Sequence, residues 1–172
     1  MEKELKKVIM DVPDFPKKGI IFKDLTPIFT DEKLFKKLIK GIAKRYKGKE
    51  IDKILCVEAR GFLFGAPLAC EMGVALVPVR KPGKLPRMTY KVEYDLEYGK
   101  DALEIHRDAI KKGDNVLIVD DLLATGGTVG AVTKLVEKCG GKVFELAFVV
   151  ELDFLKGREK LKGHKIFSVV HY

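Results

Sequence analysis

The chain has 172 residues, 47% hydrophobic and 34% charged, proportions that fit one globular domain and exclude a disordered chain. No apolar run approaches the roughly 20 residues of a membrane helix, and the charged start leads only to Val8-Ile9-Met10, too short for a signal-peptide core. The net charge of +8, from 33 Lys and Arg against 25 Asp and Glu, is compatible with nucleic acid, an anionic surface, a small polyanion or a Lys/Glu-rich solvated surface, so only its placement is informative.

Thr30, Asp31 and Glu32 read as an N-cap and the acids of a first helical turn. The apolar stripe that follows, Leu34, Phe35, Leu38, Ile39, Ile42, Ala43 and Tyr46, ends near Lys47-Gly48. Ile54 to Val57 reads as a buried strand, Phe62 to Met72 as a helix closed by Gly73, and Val74 to Val79 as the next strand. Tyr90 to Tyr98 alternates like a strand, and Ala102 to His106 is suited to pair with it. After a turn at Lys112-Gly113-Asp114, Val116 to Val119 is the clearest buried strand; Asp120 to Thr128 reads as a loop and Val129 to Cys139 as a helix stopped by Gly140-Gly141. Val143 to Val150 and Ile166 to Val170 complete the strands. This alternation predicts an α/β fold in a single domain, residues 1–172, whose central, mostly parallel, twisted sheet is flanked by helices on both faces. Ligands of such sheets collect at the carboxyl ends of the strands, here Glu58 to Gly61, Arg80 to Arg87 and Asp120 to Thr128.

Several chemistries lack their residues. Cys56, Cys70 and Cys139 are far apart with no CxxC spacing, which fits a reducing cytoplasm and gives neither a disulfide framework nor a zinc site. Ser168 is the one serine, inside an apolar strand, and His106, His164 and His171 have no metal-ligand spacing. Neither GxGxxG nor GK[ST] occurs at the start of a helix.

The most informative stretch is Val116 to Thr128. An apolar strand delivers two adjacent carboxylates, Asp120 and Asp121, and then Thr125-Gly126-Gly127-Thr128 enters a helix. Glycines let several N–H groups turn toward one point and the helix N-terminus adds a positive field, an anion cradle with two hydroxyl donors. Carboxylates beside a phosphate repel it unless they face something else, and a pair of sugar hydroxyls is the natural partner. Arg80, Lys81, Lys84, Arg87 and Lys91 form a second feature, five basic residues in twelve positions on a segment whose prolines and glycine deny a helix. This suits a clamp for a highly charged anion such as pyrophosphate; nucleic acid and plain solvation are the competing readings. In Tyr94 to Gly99, strand alternation puts Asp95 and Glu97 on one side and Tyr94, Leu96 and Tyr98 on the other, so a carboxylate beside aromatics is a candidate general acid or base. Asp14 to Asp24 places apolar residues on an N-terminal loop, where either a flat ligand or simple packing covers them.

Taken together, these segments closely resemble the adenine phosphoribosyltransferases, type I members of the purine/pyrimidine phosphoribosyltransferase family. The resemblance runs through Asp14–Asp24, Ala59–Pro67, Val79–Pro86, Tyr94–Gly99, Leu103–His106, Val119–Thr128 and Val150–Leu161, most of the chain. It implies an N-terminal hood over residues 1–30 and a flexible lid over 80–100. It implies adenine and 5-phosphoribosyl 1-pyrophosphate as substrates, Mg2+ carried on the substrate with no protein metal site, and AMP and pyrophosphate as products. By the same resemblance Asp120 and Asp121 hold the ribose hydroxyls, and Ala124, Thr125, Gly126, Gly127 and Thr128 bind the 5-phosphate. Arg60, Arg80, Lys81 and Lys84 face the pyrophosphate, with Arg80 able to reach across a dimer; Ile21, Phe22, Lys23 and Leu122 surround adenine, with the Ile21 backbone reading the base; Glu97 handles a proton at adenine N7. A non-proline cis peptide is implied at Glu58–Ala59. The chain departs from the family at Lys23, where Arg is usual and where Lys lacks the planar stacking fork. A cytoplasmic homodimer acting on small molecules, with no membrane or nucleic-acid partner, is the expected context. The alternatives are a 6-oxopurine phosphoribosyltransferase, which needs a donor for O6, and a non-catalytic purine-nucleotide sensor of the same fold, which usually carries an additional DNA-binding module.

Overall fold

Short β-rich apolar runs that are hydrophobic on both sides must be covered on both sides, and this governs the architecture. A computed structural model describes residues 1–95 and 99–172. Strands β3 (Lys53–Val57), β4 (Ala75–Val79), β7 (Asn115–Leu123), β8 (Lys142–Glu151) and β9 (Ile166–His171) form one five-stranded sheet in the order β4-β3-β7-β8-β9, every pair parallel.

Alternate strand residues feed two apolar layers. Ile54 and Cys56 of β3, with Leu117 and Val119 of β7, face α3 (Glu32–Tyr46) and α4 (Arg60–Met72). Leu55 and Val57, with Val116 and Ile118, face α5 (Gly127–Lys138) and an antiparallel hairpin of β5 (Thr89–Asp95) and β6 (Lys100–His106). The predicted cap of α3 is present: Asp31 Oδ1 accepts from the amides of Lys33 and Leu34 at 3.1 and 2.9 Å. Gly73, at φ 64°, closes α4 as expected.

Several boundaries differ from the sequence reading. β7 continues through Asp120 and Asp121 to Leu123, where a loop was expected, because β8 keeps pairing with it from Asp120↔Phe148 to Leu123↔Glu151. α4 and α5 each start two residues early, at Arg60 and Gly127. The N-terminal region is more ordered in structure than a loop: α1 (Glu2–Val8) leads into a hairpin of β1 (Met10–Pro13) and β2 (Ile21–Asp24), followed by α2 (Thr26–Thr30). Of the expected strand from Tyr90 to Tyr98, β5 accounts for the part up to Asp95; the remainder, with Glu97, lies outside the described residues.

The chain leaves β3 through α4 to β4 on one side, then returns to place β7 on the other side of β3. The reversal opens a crevice at the carboxyl ends of β3 and β7, the switch point where open α/β sheets bind ligands.

Candidate functional site

Both strands at the switch point feed straight into helices, so two helix N-termini converge there. The N-cap positions of α4 and α5 are Ala59 and Gly126, and neither helix has a side-chain cap or an acid in its first turn. Among the described residues their first amides therefore have no side-chain cap, and they carry the positive end of the helix field. A cavity of about 270 Å³ lies between them, lined by Val57–Arg60 and by the continuous run from Asp120 to Val129.

Glycine is needed at two points around this cavity. Gly126 has φ 78°, and a Cβ on it would lie 2.5 Å from the Gly157 carbonyl oxygen. A Cβ on Gly61 would meet Asp120 Oδ1 at 2.7 Å, so its absence lets α4 come down onto the end of β7. The turn between β3 and α4 contains the expected cis peptide at Glu58–Ala59.

The paired carboxylates sit on the cavity floor. Asp120 Oδ1 accepts from the Asp121 amide at 2.9 Å. Burial pushes the Asp120 carboxyl well above the usual range, and the Asp121 charge beside it adds to the rise. Burial raises Asp121 as well, against the opposing pull of Arg60. Arg60 Nε stands 2.7 Å from Asp121 Oδ2, yet it is not aligned as a hydrogen-bond donor, and that buried oxygen has no other partner among the described residues. An acceptor with free capacity is what a hydroxyl-bearing ligand or a hydrated cation requires.

The basic loop closes the same end of the molecule. Arg80 is fixed by its backbone, which exchanges hydrogen bonds of 3.0 and 2.7 Å with Glu104 on β6. Its Nη2 donates to Glu58 Oε2 at 3.0 Å, and Lys84 Nζ lies 3.6 Å from the same oxygen. Lys81 Nζ donates to Asp101 Oδ2 at 2.9 Å, and the Tyr94 hydroxyl reaches the same oxygen at 3.3 Å. The bond to Lys81 is the main reason the Asp101 carboxyl is held low.

Thus Arg60, Asp120, Asp121, Leu122, Ala124, Thr125, Gly126, Gly127 and Thr128 line one cavity, and Arg80 and Lys84 join it through Glu58. On the N-terminal side, Phe22 lies beneath the Arg60 guanidinium, 4.9 Å from ring centroid to Cζ, and packs edge-on against Phe15. Ile21 is 58% exposed on β2, a strand paired on one side only, which leaves alternate backbone groups open. The Lys23 ammonium is occupied elsewhere, bonded to Asp11 at 2.6 Å and 3.7 Å from the centroid of the Tyr172 ring. Glu97 lies outside the described residues. Sequence reasoning gave no role to Glu58, Asp101 or Gly157. A carboxylate directly after a buried strand was a visible signal for Glu58; nothing local distinguishes Gly157.

Comparison with known proteins adds independent information. Residues 27–170 match the phosphoribosyl transferase domain family. An adenine phosphoribosyltransferase of Geotalea daltonii is 56% identical over 98% of this chain and 99% of its own. One from Clostridium perfringens is 58% identical, covering 98% of both chains. The crystal structure of an adenine phosphoribosyltransferase from Thermoanaerobacter pseudethanolicus superimposes with a TM-score of 0.97 at 56% identity, over 100% of both chains. The Saccharomyces cerevisiae adenine phosphoribosyltransferase, solved with adenine and an imino-altritol bisphosphate, has a TM-score of 0.93 at 46% identity over 98% of this chain and 97% of its own.

Proposed function

The chain belongs to the adenine phosphoribosyltransferase family, and from that we infer how its residues divide the work of joining adenine to 5-phosphoribosyl 1-pyrophosphate, giving AMP and pyrophosphate in purine salvage. The observation that carries the assignment of roles is the meeting of an uncapped helix N-terminus and a carboxylate pair in one cavity. A phosphate and a vicinal diol, the two features of a ribose 5-phosphate, need those two surfaces side by side.

The amides at the start of α5, with the Thr125 and Thr128 hydroxyls, take the 5-phosphate; Ala124, Gly126 and Gly127 supply the backbone path. Asp120 and Asp121 accept from the ribose hydroxyls. A bound diol supplies the donor that Asp121 Oδ2 lacks and offsets part of the cost of keeping two carboxylates together. Arg60, Arg80, Lys81 and Lys84 receive the diphosphate. Breaking the glycosidic bond leaves positive charge on the ribose ring and negative charge on the departing pyrophosphate, and fixed cations that meet this charge as it develops lower the barrier. Mg2+ carried on the substrate would neutralise charge on the same leaving group. Asp121 Oδ2, a buried carboxylate oxygen of the cavity lining with no hydrogen-bond partner among the described residues, suits the water shell of a cation that arrives bound to substrate.

Phe22, stacked under Arg60, and Leu122 in the cavity wall flank the adenine ring, while the open edge of β2 at Ile21 reads its exocyclic amine and N1. With its ammonium tied to Asp11, Lys23 contributes through its backbone. Glu97, two residues beyond the end of β5, holds the proton at adenine N7. Residues 1–30 form the hood and residues 80–100 the lid of this site, in a cytoplasmic homodimer. Parallel assay with adenine, hypoxanthine, guanine and xanthine tests the reading: turnover with adenine alone is expected, and preference for a 6-oxopurine refutes it.

A further inference from the structure

Each of the four cations assigned to the diphosphate already stands on a carboxylate of this chain. Arg60 is on Asp121, Lys81 is on Asp101, and Arg80 and Lys84 share Glu58. Glu58 differs from the other two acids. Like Asp121 it is 8% exposed and lines the cavity, but it alone of the three serves two cations of the basic loop with one carboxylate. Its Oε1 also accepts a hydrogen bond from the Lys81 amide, so it holds the loop at Arg80, Lys81 and Lys84. Burial alone would raise this carboxyl, but the Lys81 amide and the Arg80 guanidinium outweigh burial and hold it below its usual value, so it is ionised at neutral pH.

The arrangement is not saturated. Two positive side chains face one negative one, and Arg80 Nε is buried with no acceptor among the described residues. A buried donor without a partner is uncommon and marks a place for a group that arrives later. A diphosphate carries more charge and more acceptor oxygens than a carboxylate and can satisfy both side chains, Arg80 Nε included.

Building on the diphosphate role given to this loop above, we propose that Glu58 is an exchangeable counter-charge: it holds the basic loop in register while the site is empty, yields Arg80 and Lys84 to the diphosphate, and by its own charge limits how tightly pyrophosphate is retained. It is a positioning residue, acting through the loop. Its charge has two effects of the same sign on affinity. In the empty site it compensates Arg80 and Lys84, which an anion must then pull away; in the occupied site it stands close to the bound anion and repels it. Removing the charge while keeping an acceptor for the Lys81 amide should therefore tighten pyrophosphate binding, whereas a residue that merely maintained the loop would weaken it when changed.

The test is calorimetric titration of inorganic pyrophosphate, with Mg2+ present, into the wild-type protein, E58Q and E58D. The expected result is binding tighter by on the order of tenfold in E58Q, as for loss of one nearby like charge. E58D, which keeps the charge, should show no tightening, and adenine affinity should be unchanged in both. Unaltered or weaker pyrophosphate binding in E58Q, with normal binding by the wild type, overturns the proposal and leaves the reading of the loop intact. Failure of the wild type to bind pyrophosphate overturns that reading and this proposal with it. A second measurement needs no variant: the Arg80 side-chain 15N resonance of the wild type should shift on saturation with pyrophosphate, and an unmoved resonance also overturns the exchange.

Discussion

Replacing Gly157 by alanine probes how closely the phosphate cradle is supported from behind. Gly157 begins the short 3-10 turn Gly157–Leu161, and a Cβ there would lie 2.2 Å from the Ala124 carbonyl oxygen, 3.2 Å from the carbonyl carbon and 3.0 Å from Leu123 Cδ1. Two of these atoms are backbone and cannot swing aside, so the chain at Ala124 must retreat by close to an ångström. Overpacking of this kind costs about 1–3 kcal/mol, which for a chain of this size lowers Tm by roughly 2–12 °C. Ala124 precedes Thr125 and the Gly126 N-cap of α5, so its displacement carries the phosphate-binding amides with it. A misplacement of that size can cost on the order of 10²-fold in rate. Thermal denaturation and titration with 5-phosphoribosyl 1-pyrophosphate and with adenine read the two effects separately. The expected result is a lower Tm and a large loss of phosphoribosyl affinity with adenine affinity retained. An alanine variant with wild-type Tm and wild-type phosphoribosyl affinity would refute the close-support argument.

Asp121→Asn removes the charge from a carboxylate assigned to the sugar hydroxyls and should cost about 1.5–3 kcal/mol of phosphoribosyl pyrophosphate affinity; equal damage to adenine binding would count against it. Asp120→Asn should lower turnover yet stabilise the fold in a pH-dependent way. The folded-state rise in the Asp120 carboxyl makes ionisation costly only after folding, so the cost is absent below the ordinary aspartate value of about 3.9 and grows as pH rises through the window above it. The stability advantage of the variant should therefore be negligible near the acid end and widen toward neutrality, and a constant difference across denaturation curves would contradict this. Glu97→Ala should lower the rate of the chemical step by roughly 10²–10⁴-fold without unfolding the protein, and Asp95→Ala should do far less; near-normal single-turnover rates for Glu97→Ala would remove it from proton handling.

How far the molecule could be read from its sequence depended on the range of the interactions. Helix α3 was legible because its cap, Asp31, and its apolar stripe are both local. The buried strands β3 and β7 were legible because a run such as Val116 to Val119 has few other uses. The extension of β7 through Asp120 and Asp121 was not, since adjacent aspartates are poor strand formers and only the ten-residue partner β8 keeps them in the ladder. Helix α1 left a signal that was not taken up, acids Glu2 and Glu4 in its first turn and Lys6 and Lys7 in its last.

At the site, the cradle from Ala124 to Thr128 could be recognised because phosphate binding by a glycine turn at a helix start is a local device. The acids that hold the basic residues could not be assigned in this way. Glu58 reaches Arg80 across 22 positions and Lys81 reaches Asp101 across 20, pairings that exist only after β4 and the hairpin β5–β6 are in place. Lys23 is the clearest case of tertiary structure redirecting a side chain. Within its hairpin it faces Asp11, its register partner, and the C-terminal Tyr172 closes over it, so its ammonium is spent on the hood's own packing.

The central claim is that the α5 cradle, the carboxylate pair and the β2 edge form one site for a purine nucleotide. A crystal structure of the AMP complex tests it most directly. The account predicts the 5-phosphate within hydrogen-bonding distance of the amides at the start of α5, the ribose hydroxyls on Asp120 and Asp121, and the adenine between Leu122 and the Phe22 side of the hood, with its amine edge toward the Ile21 backbone. AMP seated with its phosphate on Arg80 and Lys84, or with its base away from β2, would contradict it.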